Sequence, residues 1–237
     1  MERLQKIIAN KGYCSRRKAE RLIETGQVFV NGEKITELGF KAKISDQITI
    51  DGKLLQTDQK EYYLLNKPNG VISSVSDNKK RKTVCDLILT EKRIYPIGRL
   101  DYDTTGLLIL TNDGELANLI MHPKNKIEKV YVAKIKGKLQ KEQLIKLQTG
   151  IMIDDQKTAP AKIKIISYDK TKNSSIIRLT IHEGKNHQVK IMLEKVGSEV
   201  VKLKREKIAF LDLTGLKIGQ YRKITIKEVK KLYSLGR

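Results

Sequence analysis

Gly98-Arg99-Leu100-Asp101-Tyr102-Asp103-Thr104-Thr105-Gly106 runs directly into the apolar stretch Leu107 to Leu110 and closes on Asn112-Asp113-Gly114. A glycine-bounded polar loop, a short aliphatic run and a turn signal read in that order as loop, buried strand and turn. The loop therefore presents the Asp101 carboxylate at the mouth of a strand. Arg99, two positions earlier, can hold that carboxylate ionised and fixed in direction, because an opposite charge at close range favours the charged form. An ionised aspartate can serve as nucleophile or base. Aspartate in a glycine-flanked turn more often bonds its own backbone, so spacing alone makes Asp101 only a candidate.

On either side of this stretch, Tyr62 to Leu65, Lys129 to Ile135, Ala161 to Ser167 and Ile176 to Ile181 have the composition of strands. Helical periods are predicted near 115–121, 140–149, 186–196 and 226–234. The order lacks a regular β-α-β alternation, so an α+β domain with a mixed or largely antiparallel sheet is expected over residues 61–237. Upstream, Leu4, Ile7 and Ile8 recur at helical spacing before Gly12, and Ser15 is placed to cap a second helix running to Thr25. Val28 to Val30, Asn31-Gly32, Ile48 to Ile50 and Asp51-Gly52 then read as strand, turn, strand and turn. Residues 1–60 are thus expected to form a small αα-β domain, joined to the second through Gln56 to Glu61. On its second helix Ala19, Leu22 and Ile23 share one face, while Arg17, Lys18 and Arg21 project from the other with Arg16 at its edge.

Composition narrows the class of partner. Forty-eight Lys plus Arg against 27 Asp plus Glu leave a formal charge of +21, a field that attracts polyanions. The apolar runs are far shorter than the roughly 20 residues of a membrane span, so no membrane crossing is expected. The segment Met1 to Gly12 lacks the apolar core and cleavage site of a signal peptide, which makes the cytoplasm the expected location. Cys14 and Cys85 lie far apart with no second pair, excluding a disulfide framework or a C-x-x-C motif. With three Phe and no Trp, aliphatic side chains must fill the cores.

The run Gly98 to Gly114 closely resembles the catalytic motif of the pseudouridine synthases, in the branch that includes the RsuA and RluB enzymes. Ser15-Arg16-Arg17-Lys18-Ala19 and Val30-Asn31-Gly32 are similar to a small RNA-binding domain shared with a ribosomal small-subunit protein. Leu65-Asn66-Lys67-Pro68-Asn69-Gly70-Val71 resembles the family's first motif, and Lys129-Val130-Tyr131-Val132-Ala133 the segment whose tyrosine lies against the target base. Glu183-Gly184-Lys185-Asn186-His187-Gln188-Val189-Lys190 resembles the late motif whose basic residue faces the catalytic carboxylate.

The resemblance implies an enzyme that isomerises uridine to pseudouridine in ribosomal RNA, free or within partly assembled ribosomal subunits, without metal or cofactor; a monomer is the default expectation. Asp101 would be the catalytic carboxylate. Arg99 would orient it and help occupy the space left by the flipped base, Tyr131 would stack on that base, and Leu193 would close the apolar wall. Lys190 would balance the charge of Asp101; many relatives carry arginine here and at Lys185, and lysine supplies a point charge where guanidinium supplies a planar fork. Arg16, Arg17, Lys18 and Arg21 would grip RNA backbone. His182 and His187, five apart with no companion donor, read as surface or RNA-contacting residues and not as metal ligands. The segment Val201 to Phe210 is more similar to the large-subunit RNA enzymes, with a small-subunit enzyme as the alternative. A catalytically silent RNA-binding or ribosome-assembly protein is the alternative of another class. A binder of anionic membranes or acidic proteins would account for the charge alone.

Overall fold

The computed structural model describes residues 1–236; Arg237, the last residue of the expected second domain, lies outside them. The chain divides into two compact units, one of residues 1–61 with 90–94 and 112–114, the other comprising the remaining described residues.

In the first unit β1 (Glu2–Arg3) leads into α1 (Leu4–Asn10), and α2 (Arg16–Glu24) follows. Ser15 caps α2, its hydroxyl accepting from the Lys18 N–H at 3.2 Å, which satisfies one donor left open by the first turn. Next come β2 (Val28–Val30), β3 (Glu33–Ile35), β4 (Lys41–Ala42), β5 (Ile48–Ile50) and β6 (Lys53–Leu54). Four of them form an antiparallel sheet in the order β3-β2-β5-β6, and β4 pairs with β1. Asn31 and Gly32, and likewise Asp51 and Gly52, all take positive φ, the requirement of a tight hairpin turn that matches strand twist. Leu4, Ile8, Ile23, Val28 and Ile48 are buried in one core, whereas Arg16, Arg17, Lys18 and Arg21 are exposed.

The second unit has the expected α+β architecture. Its strands are β7 (Tyr62–Lys67), β8 (Tyr95–Pro96), β9 (Thr105–Thr111), β10 (Lys129–Lys136), a separate hairpin of β11 (Met152–Ile153) and β12 (Gln156–Lys157), then β13 (Lys162–Asp169), β14 (Ser174–Ile181), β15 (Val200–Ile208) and β16 (Tyr221–Lys223). Among the described residues eight of these make one sheet in the order β13-β14-β10-β15-β9-β7-β16, with β8 also on β9. Every pairing is antiparallel except β15 with β9, so the sheet is mixed. Its helices are α3 (Gly114–Met121), α4 (Lys141–Thr149), α5 (Gln188–Lys195) and α6 (Ile226–Ser234). Leu107 to Leu110 are wholly buried, as a central strand covered on both faces must be. Leu107 and Ile109 share a core with Leu116 and Ile120 of α3 and Val229 and Leu232 of α6.

Sequence reading leaves β15 without a strand assignment, although it is the longest strand and joins the two parts of the sheet. Five of its nine residues, Lys202, Lys204, Arg205, Glu206 and Lys207, are charged. It therefore shows neither an apolar run nor a polar-apolar alternation.

Candidate active site

The 98–106 loop is held from beneath by the end of β7 and the segment that follows it. Lys67 is fully buried, and its ammonium donates to the carbonyl oxygens of Asp101 at 3.0 Å, Thr104 at 3.0 Å, Pro68 at 3.1 Å and Tyr102 at 3.4 Å. Burial pulls its pKa down to about 8, against the neighbouring Asp101 and Asp103, which favour the charged form. Leu100 is gripped separately, since Ser73 Oγ accepts from its N–H at 3.1 Å and donates to its carbonyl at 2.7 Å. The Gly70 N–H donates to the Tyr102 carbonyl at 2.9 Å. Lys67, Gly70 and Ser73 thus fix the backbone on both sides of Asp101, the pre-positioning that a reacting carboxylate needs.

The carboxylate itself faces two side chains of the 183–190 segment. Asp101 Oδ2 lies 3.2 Å from Lys190 Nζ and 3.2 Å from His187 Nδ1, with Thr104 Oγ1 farther off at 3.5 Å. Lys190, in the first turn of α5, also donates to Asp103 Oδ1 at 2.6 Å. Burial works against the Lys190 ammonium, but its bonds to Asp103 and Asp101 outweigh that and hold its pKa above the ordinary value. The same bond to Lys190 keeps Asp103 below the usual carboxylate range despite some desolvation. His187 caps α5 in the left-handed conformation, φ +49°.

A cleft of about 60 Å3 opens over Asp101, walled by Leu100, Tyr131, Ile181, Val189 and Leu203, with Arg99 also along it. Alternation along β10 puts Tyr131 on the inward face with Ala133 and Ile135, opposite Leu179 of β14 and Arg205 of β15. Arg205 is 3% exposed. Its Nε donates to the Leu107 carbonyl at 2.8 Å, its Nη1 to the Tyr131 hydroxyl at 3.3 Å, and its guanidinium lies 5.9 Å from the Tyr131 ring centroid, within cation–π range. Because the phenol oxygen accepts from Arg205, the phenol proton remains available to another acceptor. Gly106 makes this packing possible: at φ +107° a β-carbon there would sit 2.2 Å from the Arg205 carbonyl oxygen.

Asp101, Arg99, Tyr131 and Lys190, distant in sequence, therefore meet at one cleft, but two expected contacts are not formed. Arg99 does not pair with Asp101; its Nη2 donates to Asn186 Oδ1 at 3.2 Å. Ser73 draws Leu100 into the core between them, leaving the exposed Arg99 to reach across to the 183–187 segment. The groups at the carboxylate are the Lys190 ammonium and the His187 imidazole instead. Leu193 is fully buried and is not part of the cleft wall, which Val189, Ile181 and Leu203 form instead. Sequence reading missed the part of Lys67, quoted only within a Lys-Pro turn, and of Arg205, quoted only within a basic stretch. It placed His187 at the surface, where its side chain is indeed half exposed, but not against Asp101. Among the described residues no group of three or more His, Cys, Asp or Glu is arranged to hold a metal ion.

Comparison with known proteins identifies the family. Residues 61–195 match the family described as RNA pseudouridylate synthase, and residues 2–48 match the S4 domain. The chain is 58% identical over 237 residues, 100% of its length and 97% of the relative's, to ribosomal large subunit pseudouridine synthase B of Bacillus subtilis (strain 168). It is 40% identical over 234 residues, 98% of this chain and 93% of the other, to an uncharacterized RNA pseudouridine synthase of Aquifex aeolicus (strain VF5). A crystal structure of a pseudouridylate synthase superimposes with a TM-score of 0.71 at 32% identity, covering 98% of this chain and 100% of that one. With a buried lysine and a serine fixing the Asp101 loop, and with these relatives spanning nearly every residue, this chain belongs to the RNA pseudouridylate synthase family.

Proposed function

We propose that this enzyme isomerises uridine to pseudouridine in large-subunit ribosomal RNA and that Asp101 is its catalytic carboxylate. The observation that carries the proposal is the Asp101 carboxylate itself, fixed by Lys67 and Ser73 through its backbone, paired with Lys190 at 3.2 Å and facing the Tyr131 cleft. The large subunit is supported by the 58% identical relative, whose name assigns it that substrate.

The reaction breaks the bond from uracil N1 to the ribose and remakes it from C5. N1 gains a proton and C5 loses one to water, so reactant and product have the same atoms and no oxidant or group donor is required. Asp101 acts as an ionised carboxylate whether it attacks covalently or removes a proton from the sugar, and the Lys190 ammonium lies 3.2 Å from it. The uridine must leave its stack to reach Asp101. The exposed Arg99 and His187 side chains stand along the cleft, and Arg99 helps to fill the place the base leaves in the RNA. Tyr131 then stacks on the base, held by Arg205. In the S4 domain, Arg16, Arg17, Lys18 and Arg21 grip RNA backbone and supply affinity without base specificity. No helix among the described residues is long and apolar enough to cross a membrane, and we place the enzyme in the cytoplasm as a monomer beside its ribosomal substrate.

The test is release of tritium from C5-labelled uridine in 23S or 16S transcripts, naked or in partly assembled subunits, by wild type and by Asp101→Asn. The expected result is release from 23S RNA by wild type and a loss of at least about a thousandfold in the variant. Equal release by Asp101→Asn refutes its assignment, release from 16S RNA alone refutes the large-subunit substrate, and no release by wild type from any of these refutes the activity.

A further inference from the structure

The strands that carry Tyr131 have a second face. β10 turns Tyr131, Ala133 and Ile135 inward and leaves Val130, Val132 and Lys134 half-exposed on the opposite side. Register across β13, β14, β10 and β15 aligns that outer face in rows. One row is Lys162, Thr180, Val130 and Lys207; the next is Lys164, Arg178, Val132 and Lys204; the third is Ser167, Ile176, Lys134 and Lys202. Each row spans about 14 Å, and neighbouring rows lie about 7 Å apart. Seven of the twelve positions are cationic, and all seven side chains are exposed or half-exposed.

Part of this charge is neutralised locally, Lys162 by Glu128 at 2.6 Å, Arg178 by Glu206 at 3.3 Å and Lys207 by Asp212 at 3.8 Å. Lys134, Lys164, Lys202 and Lys204 have no ion pair among the described residues. Moreover, Lys164 stands directly opposite Arg178, and Lys134 directly opposite Lys202. Like charges facing each other across strands destabilise a sheet, so folding alone does not account for their placement. A polyanion laid on this face would relieve the repulsion.

We propose that this outer face is a second RNA-binding surface, separate from the reaction cleft on the other side of the sheet, and that it takes the phosphate backbone of a duplex segment of the substrate. The proposal rests on the reading of RNA as substrate. Duplex is favoured because Val130, Val132, Ile176 and Thr180, the side chains between the lysines, offer no ring on which an unpaired base could stack. Duplex RNA is recognised instead through shape and backbone. Surface lysines on a flat sheet supply such contacts without reading sequence.

The test compares wild type with the fourfold variant Lys134→Gln, Lys164→Gln, Lys202→Gln, Lys204→Gln, and with the same four positions changed to Arg. Thermal melts check that all three are folded. Filter binding then measures affinity for a 23S transcript and for a blunt RNA duplex of about 20 base pairs across a range of KCl. If each lysine meets one phosphate, neutralising four should flatten the slope of log affinity against log salt by about 3 and weaken binding of both RNAs at least about tenfold at physiological salt. The Arg variant should bind like wild type, and tritium release at saturating RNA should be unchanged in all three. Unaltered duplex and transcript binding by the Gln variant overturns the proposal. So does unaltered RNA binding with loss of ribosomal-protein capture, which would make the face a protein-binding one. Should wild type release no tritium while the four substitutions still weaken RNA binding, the assigned reaction fails and the surface stands.

Discussion

Replacing Lys67 by Met keeps an unbranched side chain, one atom shorter, and removes the buried charge beneath the Asp101 loop. In the folded protein this ammonium titrates at about 8, against 10.5 as its ordinary value. Between those two pH values the unfolded chain holds more protons than the folded one, so the contribution of Lys67 to stability rises with pH across the window and is flat below it. The slope is about 1.4 kcal/mol per pH unit, or about 2 kcal/mol between about pH 8 and pH 9.5. Wild type should therefore gain that much stability over Lys67→Met across this interval, measured by urea unfolding followed by circular dichroism at several pH values. Turnover should move the other way. A neutral amine has two protons to share among the carbonyls of Asp101, Tyr102, Thr104 and Pro68 where the ammonium has three, so tritium release by wild type should fall as pH rises through about 8 even as the protein becomes harder to unfold. A stability difference that stays constant with pH would refute the reasoning, because it would mean that the four carbonyls fully offset the desolvation of Lys67.

Arg205→Met should strand the Tyr131 hydroxyl and the Leu107 carbonyl, lowering stability by about 2–4 kcal/mol; turnover should fall while RNA affinity, read by filter binding, stays the same. Gly106→Ala drives a β-carbon to 2.2 Å from the Arg205 carbonyl at a backbone conformation of φ +107°. It should cost about 3 kcal/mol or more and lower the melting temperature by roughly 6–12 °C; an unchanged melt would show that β9 and β15 can separate without loss.

Elements with a local signal were legible in the sequence. Ser15 announces α2, the pairs Asn31-Gly32 and Asp51-Gly52 announce hairpins, and Leu107 to Leu110 announce a covered strand. The loop that carries Asp101 was legible too, since it is bounded by glycines whose backbone freedom is visible in the residue type. What could not be read were the partners of these features. Lysine and arginine are almost never fully buried, so nothing near Lys67 or Arg205 in the chain marks them as interior; they are buried because loop carbonyls and a phenol arrive from elsewhere. Arg99 looked like the partner of Asp101 because it is two residues away, whereas the cation that pairs with Asp101 is Lys190, brought there by α5. β15 was hidden for a related reason, as its outward residues are lysines where a strand reader looks for alternation with apolar neighbours.

Lys190 touches two acids, Asp101 at 3.2 Å and Asp103 at 2.6 Å. In the role proposed for Asp101, its negative charge is lost during the reaction by gaining a proton or by forming a bond, and an ammonium with a single partner would then be left as an isolated cation in a half-closed cleft. Here Asp103 stays behind as a standing counterion, so the local charge changes by one unit and never becomes an unshared positive one. A point-charged lysine can lean from one carboxylate to the other as that happens, whereas a guanidinium locked bidentately to Asp101 would have to break a planar pair. The third acid-base partner thus works as a ballast for the electrostatic state of the site, and it offers a physical reason for a lysine at this position.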